Sequence, residues 1–338
     1  MTAVDQAHPI AVLGAGSWGT ALAIHLADSG HNVLLWGNKP EHIQLLSQQR
    51  CNQQYLPDVS FPELLELTAD LELALASPAW ILMAIPSHAY RPFFKTNAHL
   101  FKEDVGIAWA SKGLEHGTGR LIHQVIAEEL PHCKKTAVMS GPTFAGEVAR
   151  NLPTSITVAS ESESFSKQIS DDLHSGRFRV YLSDDLIGVE LGGSLKNVLA
   201  IAAGAADGLG FGANTRAALI TRGLAEMMRL GEAMGGRRET FMGLSGMGDL
   251  ILTCTDDQSR NRRTGLLLAQ GKTLEQARKE IGQAVEGINT AKEVVNLARQ
   301  YNVEVPISEQ VYRVLYENCP IDEAVHALLR RKSTQETI

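Results

Sequence analysis

The stretch that decides the fold is Ile10-Ala-Val-Leu-Gly-Ala-Gly-Ser-Trp-Gly19. Its first four residues are apolar and predict a buried parallel strand, and Thr20–Ala27 predicts the helix that follows the glycines. In such a turn the first glycine permits the tight bend, the second lets a pyrophosphate approach the backbone, and the third lets the helix pack on the strand. The N–H groups and the positive dipole end of the helix favour phosphate. This strand–turn–helix context predicts a dinucleotide site at Gly14, Gly16 and Gly19, and a glycine turn without a cofactor is the alternative.

The end of the second predicted strand, Asn32–Trp36, bears on which dinucleotide is bound. A site for NAD usually carries Asp or Glu there, about 20 residues past the fingerprint, to hold the ribose 2′-OH. Here the residues are Gly37-Asn38-Lys39, so no carboxylate repels a 2′-phosphate and Lys39 could attract one. The sequence therefore favours NADP(H) and leaves NAD(H) open. The alternative is that Lys39 only opens the next helix.

The length, composition and charge of the chain limit which classes of protein it can belong to. The 338 residues suffice for two domains, and 44% hydrophobic with 20% charged residues is ordinary for a globular chain. A net charge of −7 argues against a nucleic-acid-binding surface. The four cysteines form no C-x-x-C pair and the histidines no ligand spacing, which predicts reduced thiols and no metal site.

No targeting or membrane segment is evident from the sequence. Met1–His8 lacks the basic and apolar regions of a signal peptide, and no apolar run approaches the roughly 18 residues that span a bilayer. We therefore expect a cytoplasmic protein without membrane insertion.

The first half of the chain alternates apolar strands with helices. Further strands are predicted at Ala79–Pro86, Ile107–Ser111, Thr136–Ser140, Thr154–Ala159 and Phe178–Leu182. Such alternation predicts a doubly wound, mostly parallel sheet with helices on both faces, which binds ligands at the carboxyl ends of its strands. Pro86, Lys112 and Gly141-Pro-Thr143 follow strands and should gather there. Lys112, the one formal charge among them, suits a phosphorylated substrate, and a solvated loop lysine is the alternative.

From about Ile187 onward the patterns are helical, with almost no strand candidates. The change falls inside a long helical pattern, Leu186–Asp207, so the two domains should share a helix. The sequence therefore predicts an α/β fold with a dinucleotide-binding domain over residues 1–186. An all-α substrate and catalytic domain should follow over residues 187–338.

Lys196 is the most unusual residue of that helix. Its neighbours on the same helical face are all small or apolar, namely Gly192, Gly193, Leu199, Ala200 and Ala203. Partial desolvation lowers the pKa of a lysine, and a lysine near neutrality can exchange a proton with a substrate. The alternatives are a lysine that lies along an apolar surface with its ammonium in water, and one neutralised by Glu190. Asn197, next to it, could hydrogen-bond a hydroxyl or an amide.

Three later stretches carry weaker indications. Gly243–Asp249 is a glycine-rich turn that presents a carboxylate. Ser259-Arg260-Asn261 offers hydroxyl, guanidinium and amide donors, and with Arg262 and Arg263 it suits a phosphate, although a solvated charge run is the usual explanation. The loop that ends at Glu286 offers a carboxylate to a ribose or a carboxamide.

Taken together, these motifs resemble bacterial-type NAD(P)-dependent glycerol-3-phosphate dehydrogenases, in the right order and over about the whole chain. The matching blocks are Gly-Ala-Gly-Ser-Trp-Gly-Thr-Ala-Leu (14–22), Ser-Lys-Gly-Leu (111–114), Ser-Gly-Pro-Thr-Phe-Ala (140–145), Gly-Gly-Ser-Leu-Lys-Asn-Val (192–198), Gly-Phe-Gly-Ala-Asn-Thr-Arg (210–216), Gly-Met-Gly-Asp-Leu (246–250), Cys-Thr-Asp-Asp-Gln-Ser-Arg-Asn-Arg-Arg (254–263) and Val-Glu-Gly (285–287).

The resemblance implies interconversion of glycerol 3-phosphate and dihydroxyacetone phosphate by hydride transfer, supplying glycerophospholipid synthesis. It implies a homodimer and a helical domain like that of the 6-phosphogluconate dehydrogenase group. Lys196 matches the proton acceptor. Matching substrate contacts are Lys112, Gly141, Thr143, Lys196, Asp249, Ser259, Arg260 and Asn261. Matching cofactor contacts are Ser17, Trp18, Asn38, Lys112, Ala145, Arg260, Ala284 and Glu286.

Two other functions remain open from the sequence. One is another hydride-transfer enzyme of this architecture, of the 3-hydroxy-acid or 6-phosphogluconate type. The arginine cluster predicts a phosphorylated substrate and therefore disfavours an enzyme whose substrate lacks phosphate. The other is a dinucleotide-sensing protein without turnover, which would have no use for a desolvated Lys196.

Overall fold

The computed structural model describes residues 8–330, which divide into two compact units. The first contains the chain up to Ser111 together with His123–Met139 and Thr143–Leu186. The second contains Lys112–Ile122, Ser140–Pro142 and the chain from Ile187 onward. The predicted domain end at residue 338 lies outside the described residues.

The two units depart from the predicted division in one respect. The prediction assigned Lys112–Ile122 and Ser140–Pro142 to the first domain, whereas both segments belong to the second unit. The Lys112 side chain binds Asp249, and its backbone oxygen accepts a hydrogen bond from Asn197. These contacts tie the segment to helices far along the chain, which strand periodicity cannot reveal.

The sheet is built from short, mostly buried strands. Within residues 8–330, strands β1 to β10 are Ile10–Leu13, Val33–Trp36, Cys51–Asn52, Leu56–Ser60, Leu65–Thr68, Trp80–Met83, Gly106–Trp109, Thr136–Ser140, Thr154–Ala159 and Phe178–Ser183. Eight of the described strands form one sheet in the order β10-β9-β8-β7-β6-β1-β2-β5. In this sheet order, each pair of neighbouring strands between β8 and β5 is parallel, and β9 and β10 are also parallel. This pairing confirms the predicted α/β class.

Strand β1 lies in the middle of this sheet, between β2 and β6. Its four side chains are buried, as the apolar run predicted, and Ile10 and Val12 belong to one apolar core with helices from the same unit. The glycine turn follows directly at the carboxyl end of β1.

Strands β3, β4 and β5 were not predicted. Strands β3 and β4 form a separate antiparallel hairpin with an irregular register. Strand β3 has two residues, and β4 contains Pro57 and a left-handed Asp58, so neither shows the alternation on which a strand prediction depends. Strand β5 is a four-residue edge strand and gives an equally weak pattern.

Helices follow the strands and then fill the second unit. In chain order the described helices α1 to α16 are Ser17–Asp28, Pro40–Gln49, Leu71–Leu75, Tyr90–Asn97, Ile122–Glu129, Ala145–Ala149, Glu163–Leu173, Leu186–Gly208, Ala213–Ala233, Arg238–Phe241, Asp249–Thr255, Arg260–Ala269, Leu274–Ile281, Glu286–Gln300, Pro306–Tyr316 and Ile321–Leu329. Among the described residues beyond Ser183 there is no strand, as the sequence predicted.

Helix α8 is the central helix of the second unit. It agrees with the predicted helix within a residue and has the length and hydropathy of a membrane span. This corrects the expectation that no apolar stretch approaches that length. The helix is nevertheless a core helix, because 89% of its most apolar 18-residue window is buried within the protein.

Helices α8 and α12 approach each other through two glycines. A Cβ on Gly204 would lie 2.0 Å from the carbonyl oxygen of Arg262, and one on Gly265 would lie 2.0 Å from that of Ile201. No side chain fits at either position, so the contact brings the two backbones together. It also sets where α12 begins relative to the middle of α8.

Gly265→Ala should lower the stability of the protein by about 1–3 kcal/mol, because the added methyl group forces the two helices apart. The measurement is the free energy of unfolding from urea titration. Gly212→Ala is the matched control, since a Cβ there meets nothing within 4 Å and its expected cost is about 1 kcal/mol or less. Equal losses for the two variants would contradict the close approach.

Candidate active site

The candidate site of the second unit centres on the carboxylate of Asp249. Asp249 is the first residue of α11 and is 0% exposed. Its Oδ1 lies 2.5 Å from Lys196 Nζ, and its Oδ2 lies 2.8 Å from Lys112 Nζ. One buried carboxylate is therefore shared by two ammonium groups.

Lys196 lies in the middle of α8 and is 6% exposed. Its ammonium donates to Asp249 and, at 2.8 Å, to Thr253 Oγ1. Thr253 stands one helical turn after Asp249, and its hydroxyl lies 3.3 Å from Asp249 Oδ1. The partner of Lys196 is therefore on a different helix, and Glu190 does not take that place.

The pKa of Lys196 is lowered from 10.5 to about 8, mainly because the ammonium is buried. The negative charge of Asp249 opposes this shift, and the nearby ammonium of Lys112 contributes to it. The expected desolvation on a face of small and apolar residues is thus confirmed. The result is a buried amine whose protonated and neutral forms are both accessible near neutral pH.

Lys112 is mostly buried, with 14% of its side chain exposed. Its ammonium donates to Asp249 and also to the carbonyl oxygen of Gly141, 2.8 Å away. The alternative of a solvated loop lysine is therefore wrong. Lys112 connects the segments after β7 and β8 to α11.

A chain of amides continues from Lys112 toward α14. Asn197 Nδ2 donates to the carbonyl oxygen of Lys112, and Asn197 Oδ1 accepts from Asn261 Nδ2 at 2.8 Å. Asn261 Oδ1 in turn accepts from the backbone N–H of Gly287 at 3.0 Å. These hydrogen bonds fix both amide orientations and hold the first turns of α12 and α14 against α8.

Arg260 and Glu286 lie next to this chain, each at the start of a helix. Arg260 Nη1 donates to Gln283 Oε1 at 3.2 Å. Burial lowers the pKa of Arg260, and the nearby Glu286 partly opposes that shift. Ala284 lies between Gln283 and Glu286 in the sequence and is exposed.

Ser259 and Arg262 have structural contacts that the sequence did not reveal. Ser259 is the N-cap of α12, where its hydroxyl accepts from the backbone N–H of Arg262. Arg262 is buried in ion pairs with Asp207 and Asp257. The predicted cluster of three arginines for phosphate is therefore wrong for Arg262, whose charge is used to hold α8 against α12. Arg263 is exposed.

The dinucleotide fingerprint lies in the first unit, and its three glycines differ as predicted. Gly14 has φ +124°, a conformation that other residues rarely adopt. A Cβ on Gly19 would lie 2.0 Å from the carbonyl oxygen of Gly14. A Cβ on Gly16 would meet nothing within 4 Å, so the side of the turn facing Gly16 is open. This geometry fits a pyrophosphate at the start of α1.

Of the other residues predicted to contact the cofactor, Ser17, Trp18, Asn38 and Ala145 belong to the first unit, and Lys112, Arg260, Ala284 and Glu286 belong to the second. Ser17 donates from Oγ to the carbonyl oxygen of Tyr55 at 2.6 Å. Within residues 8–330, Trp18 Nε1 is one of the buried polar atoms without a hydrogen-bond partner. Asn38 is exposed after β2, and Lys39 occupies the N-cap position of α2, so it does open a helix. That position leaves its side chain available to a 2′-phosphate as well.

Thr143 and Ala145 belong to the first unit, unlike Gly141. Both are half-buried, and Ala145 is the first residue of α6. The structure therefore brings Lys112, Gly141, Lys196, Asp249 and Asn261 into one connected cluster.

Comparison with known proteins agrees with the fold and the motifs. Two family models match, described as the N-terminus and the C-terminus of NAD-dependent glycerol-3-phosphate dehydrogenase, over residues 9–166 and 185–326. A glycerol-3-phosphate dehydrogenase [NAD(P)+] of Thioalkalivibrio sulfidiphilus is 56% identical, over 97% of this chain and 98% of that protein. One of Pseudoalteromonas translucida is 54% identical, over 97% of this chain and 98% of that protein.

Solved structures lead to the same family. The crystal structure of glycerol-3-phosphate dehydrogenase from Coxiella burnetii matches with a TM-score of 0.93 and 49% identity, covering 96% of this chain and 99% of that one. The identity to these relatives extends over nearly the whole chain and includes both units. The chain therefore belongs to the NAD-dependent glycerol-3-phosphate dehydrogenase family of NAD(P)-dependent oxidoreductases.

Proposed function

We propose that Lys196 is the general acid and base by which this enzyme interconverts glycerol 3-phosphate and dihydroxyacetone phosphate. The observation that carries this proposal is the buried ammonium of Lys196, with a pKa of about 8 and a fixed hydrogen-bond geometry. An ammonium has three N–H donors, and two of those on Lys196 are taken by Asp249 and Thr253. The third is available to a substrate oxygen.

Lys196 acts on the oxygen at C2 of the substrate. Bound NAD(P)H supplies the hydride that reduces the C2 carbonyl carbon. As negative charge develops on the carbonyl oxygen, Lys196 Nζ transfers its proton to that oxygen and becomes neutral. In the reverse direction, neutral Lys196 removes the hydroxyl proton. Asp249 accepts a hydrogen bond from Nζ and keeps that atom in place.

The remaining polar groups bind and orient the substrate. Lys112 adds positive charge next to Lys196. This charge lowers the pKa of Lys196 and is proposed to polarise the substrate carbonyl. Arg260 and Asn261, on the first turn of α12, are the proposed anchors of the phosphate, with the Ser259 hydroxyl beside them. Gly141 and Thr143 are proposed to contact the carbon chain. Arg262 is not proposed to bind the phosphate, because its guanidinium is engaged in two ion pairs.

The glycine turn of the first unit is proposed to hold the pyrophosphate, with Ser17, Trp18 and Asn38 as further cofactor contacts and Lys39 as a site for a 2′-phosphate. Ala145, Ala284 and Glu286 complete the proposed cofactor set. NADP(H) is favoured because Gly37-Asn38-Lys39, directly after β2, contains no carboxylate. A homodimeric state and a supply of glycerophospholipid synthesis stay predictions of the family resemblance. A cytoplasmic location stays a prediction of the sequence.

Lys196→Met should lower kcat for dihydroxyacetone phosphate reduction by about 10²–10⁴, because the proton donor is lost. The dissociation constant for NADPH, measured by fluorescence, should stay within about twofold, since Lys196 acts on the substrate. Lys292→Met, an exposed lysine of α14, is the control for the loss of a charge in the same unit. A near-normal kcat in Lys196→Met would disprove the assignment.

The pH dependence of kcat should differ in sign between the two directions. Reduction requires protonated Lys196, so its rate should fall as the pH rises through about 8, and oxidation should fall as the pH drops through the same value. Asp249→Asn should move both limbs to lower pH, because the carboxylate raises the pKa of Lys196. Single-turnover rates over about pH 6–10 measure this. Limbs that stay fixed or move to higher pH in Asp249→Asn would contradict the role of Lys196.

Arg260→Ala should raise KM for dihydroxyacetone phosphate about tenfold or more, because a charged hydrogen bond to phosphate contributes about 1.5–3 kcal/mol. Arg263→Ala is the matched control on the same helix, since Arg263 is exposed. Steady-state kinetics at saturating NADPH measure both. If the two variants change KM equally, Arg260 is only a general surface charge.

A further inference from the structure

The β3–β4 hairpin is tied to the dinucleotide fingerprint by one buried amide. Asn52 ends β3 and is 0% exposed. Its Nδ2 donates to the carbonyl oxygen of Ala15 at 3.1 Å and to Thr20 Oγ1 at 2.9 Å. Its Oδ1 accepts from the backbone N–H of Tyr55 at 3.3 Å. The hydrogen-bonding groups of the amide are thus engaged, and they join the turn, the first helix and the hairpin.

A second hydrogen bond connects the same two segments. Ser17, the first residue of α1, donates from Oγ to the carbonyl oxygen of Tyr55 at 2.6 Å. Tyr55 therefore accepts from α1 through its carbonyl and donates to Asn52 through its N–H. The hairpin is therefore held at Ala15, Ser17 and Thr20.

The Ala15 carbonyl is the important acceptor, because it shares a peptide group with the N–H of Gly16. In a trans peptide the C=O and N–H bonds point in opposite directions. Pinning the carbonyl oxygen to Asn52 therefore turns the Gly16 N–H away from the hairpin. Since glycine permits many backbone conformations, this peptide could otherwise rotate and present its carbonyl oxygen where an anion must bind.

We propose that Asn52 is a positioning residue for the cofactor: it fixes the Ala15–Gly16 peptide so that the glycine turn presents N–H groups to the pyrophosphate. The inference rests on the proposal that this turn binds the dinucleotide. It assigns a function to the β3–β4 hairpin. The proposed effect is on cofactor affinity and leaves substrate recognition unchanged.

The test measures NADPH binding to the cofactor-free protein by fluorescence titration. Asn52→Ala should raise the dissociation constant about tenfold, which corresponds to about 1.4 kcal/mol. KM for dihydroxyacetone phosphate at saturating NADPH should stay within about twofold. Asn52→Ser, which is less disruptive, is made in parallel. If Asn52→Ala does not fold, the same rise of about tenfold in the dissociation constant for NADPH is expected of Asn52→Ser.

Two controls separate positioning from stability. Thr20→Val removes the other acceptor of the Asn52 amide and should leave the dissociation constant within about threefold, since the bond to Ala15 remains. Ser160→Ala removes a buried hydrogen bond to the Thr136 carbonyl, elsewhere in the first unit, and should lower only the melting temperature.

The outcomes distinguish this inference from the proposed function. If the wild-type protein does not bind NADPH, the dinucleotide site itself is wrong. If the wild type binds and the Asn52 variants bind equally well, or if they lose only melting temperature as Ser160→Ala does, positioning by Asn52 is wrong. A dissociation constant raised as much by Thr20→Val as by Asn52→Ala would also overturn the assignment to the Ala15 carbonyl.

Discussion

The candidate site depends on one buried carboxylate that is shared by two lysines. Without Asp249, two ammonium groups would lie close together in a low-dielectric interior, which is strongly unfavourable. With it, Lys112 and Lys196 are held at 2.8 and 2.5 Å from its two oxygens and their charges are partly compensated. Compensation is incomplete, however. The pKa of Lys196 remains about 8, well below that of an exposed lysine, and this intermediate value is what proton transfer in both directions requires.

The architecture explains how such a group is kept in place. Helix α8 contributes Lys196 and Asn197, α11 contributes Asp249, and short segments after β7 and β8 contribute Lys112 and Gly141. Close backbone contacts hold these parts together: a Cβ on Gly192 would lie 2.5 Å from the carbonyl oxygen of Ser245, just before Asp249. The ion pairs of Arg262 and the contact between Gly204 and Gly265 fix α12 in the same way. The proposed proton donor and the proposed phosphate anchors therefore lie on one packed set of helices.

Much of the fold could be predicted because it depends on local patterns. The strand–turn–helix at residues 10–28, the alternation of strands and helices, and the boundaries of α8 all appear in hydrophobic periodicity. Lys196 could be singled out because an isolated charge on an apolar helical face is unusual. Its partner could not, because Asp249 is 53 residues away and no local pattern connects them. The ion pairs of Arg262 could not be predicted for the same reason, and its arginine neighbours indicated a phosphate site instead. The β3–β4 hairpin could not be predicted because its few residues show no alternation of apolar and polar side chains.

The most direct test of the whole account is the loss of NADPH absorbance when dihydroxyacetone phosphate is added to the purified protein. NADH and unphosphorylated dihydroxyacetone are run in parallel. The account predicts rapid oxidation that requires the phosphate, with NADPH faster than NADH because Gly37-Asn38-Lys39, directly after β2, contains no carboxylate. No oxidation of either cofactor, or equal rates with and without the phosphate, would contradict the proposed reaction and substrate anchoring.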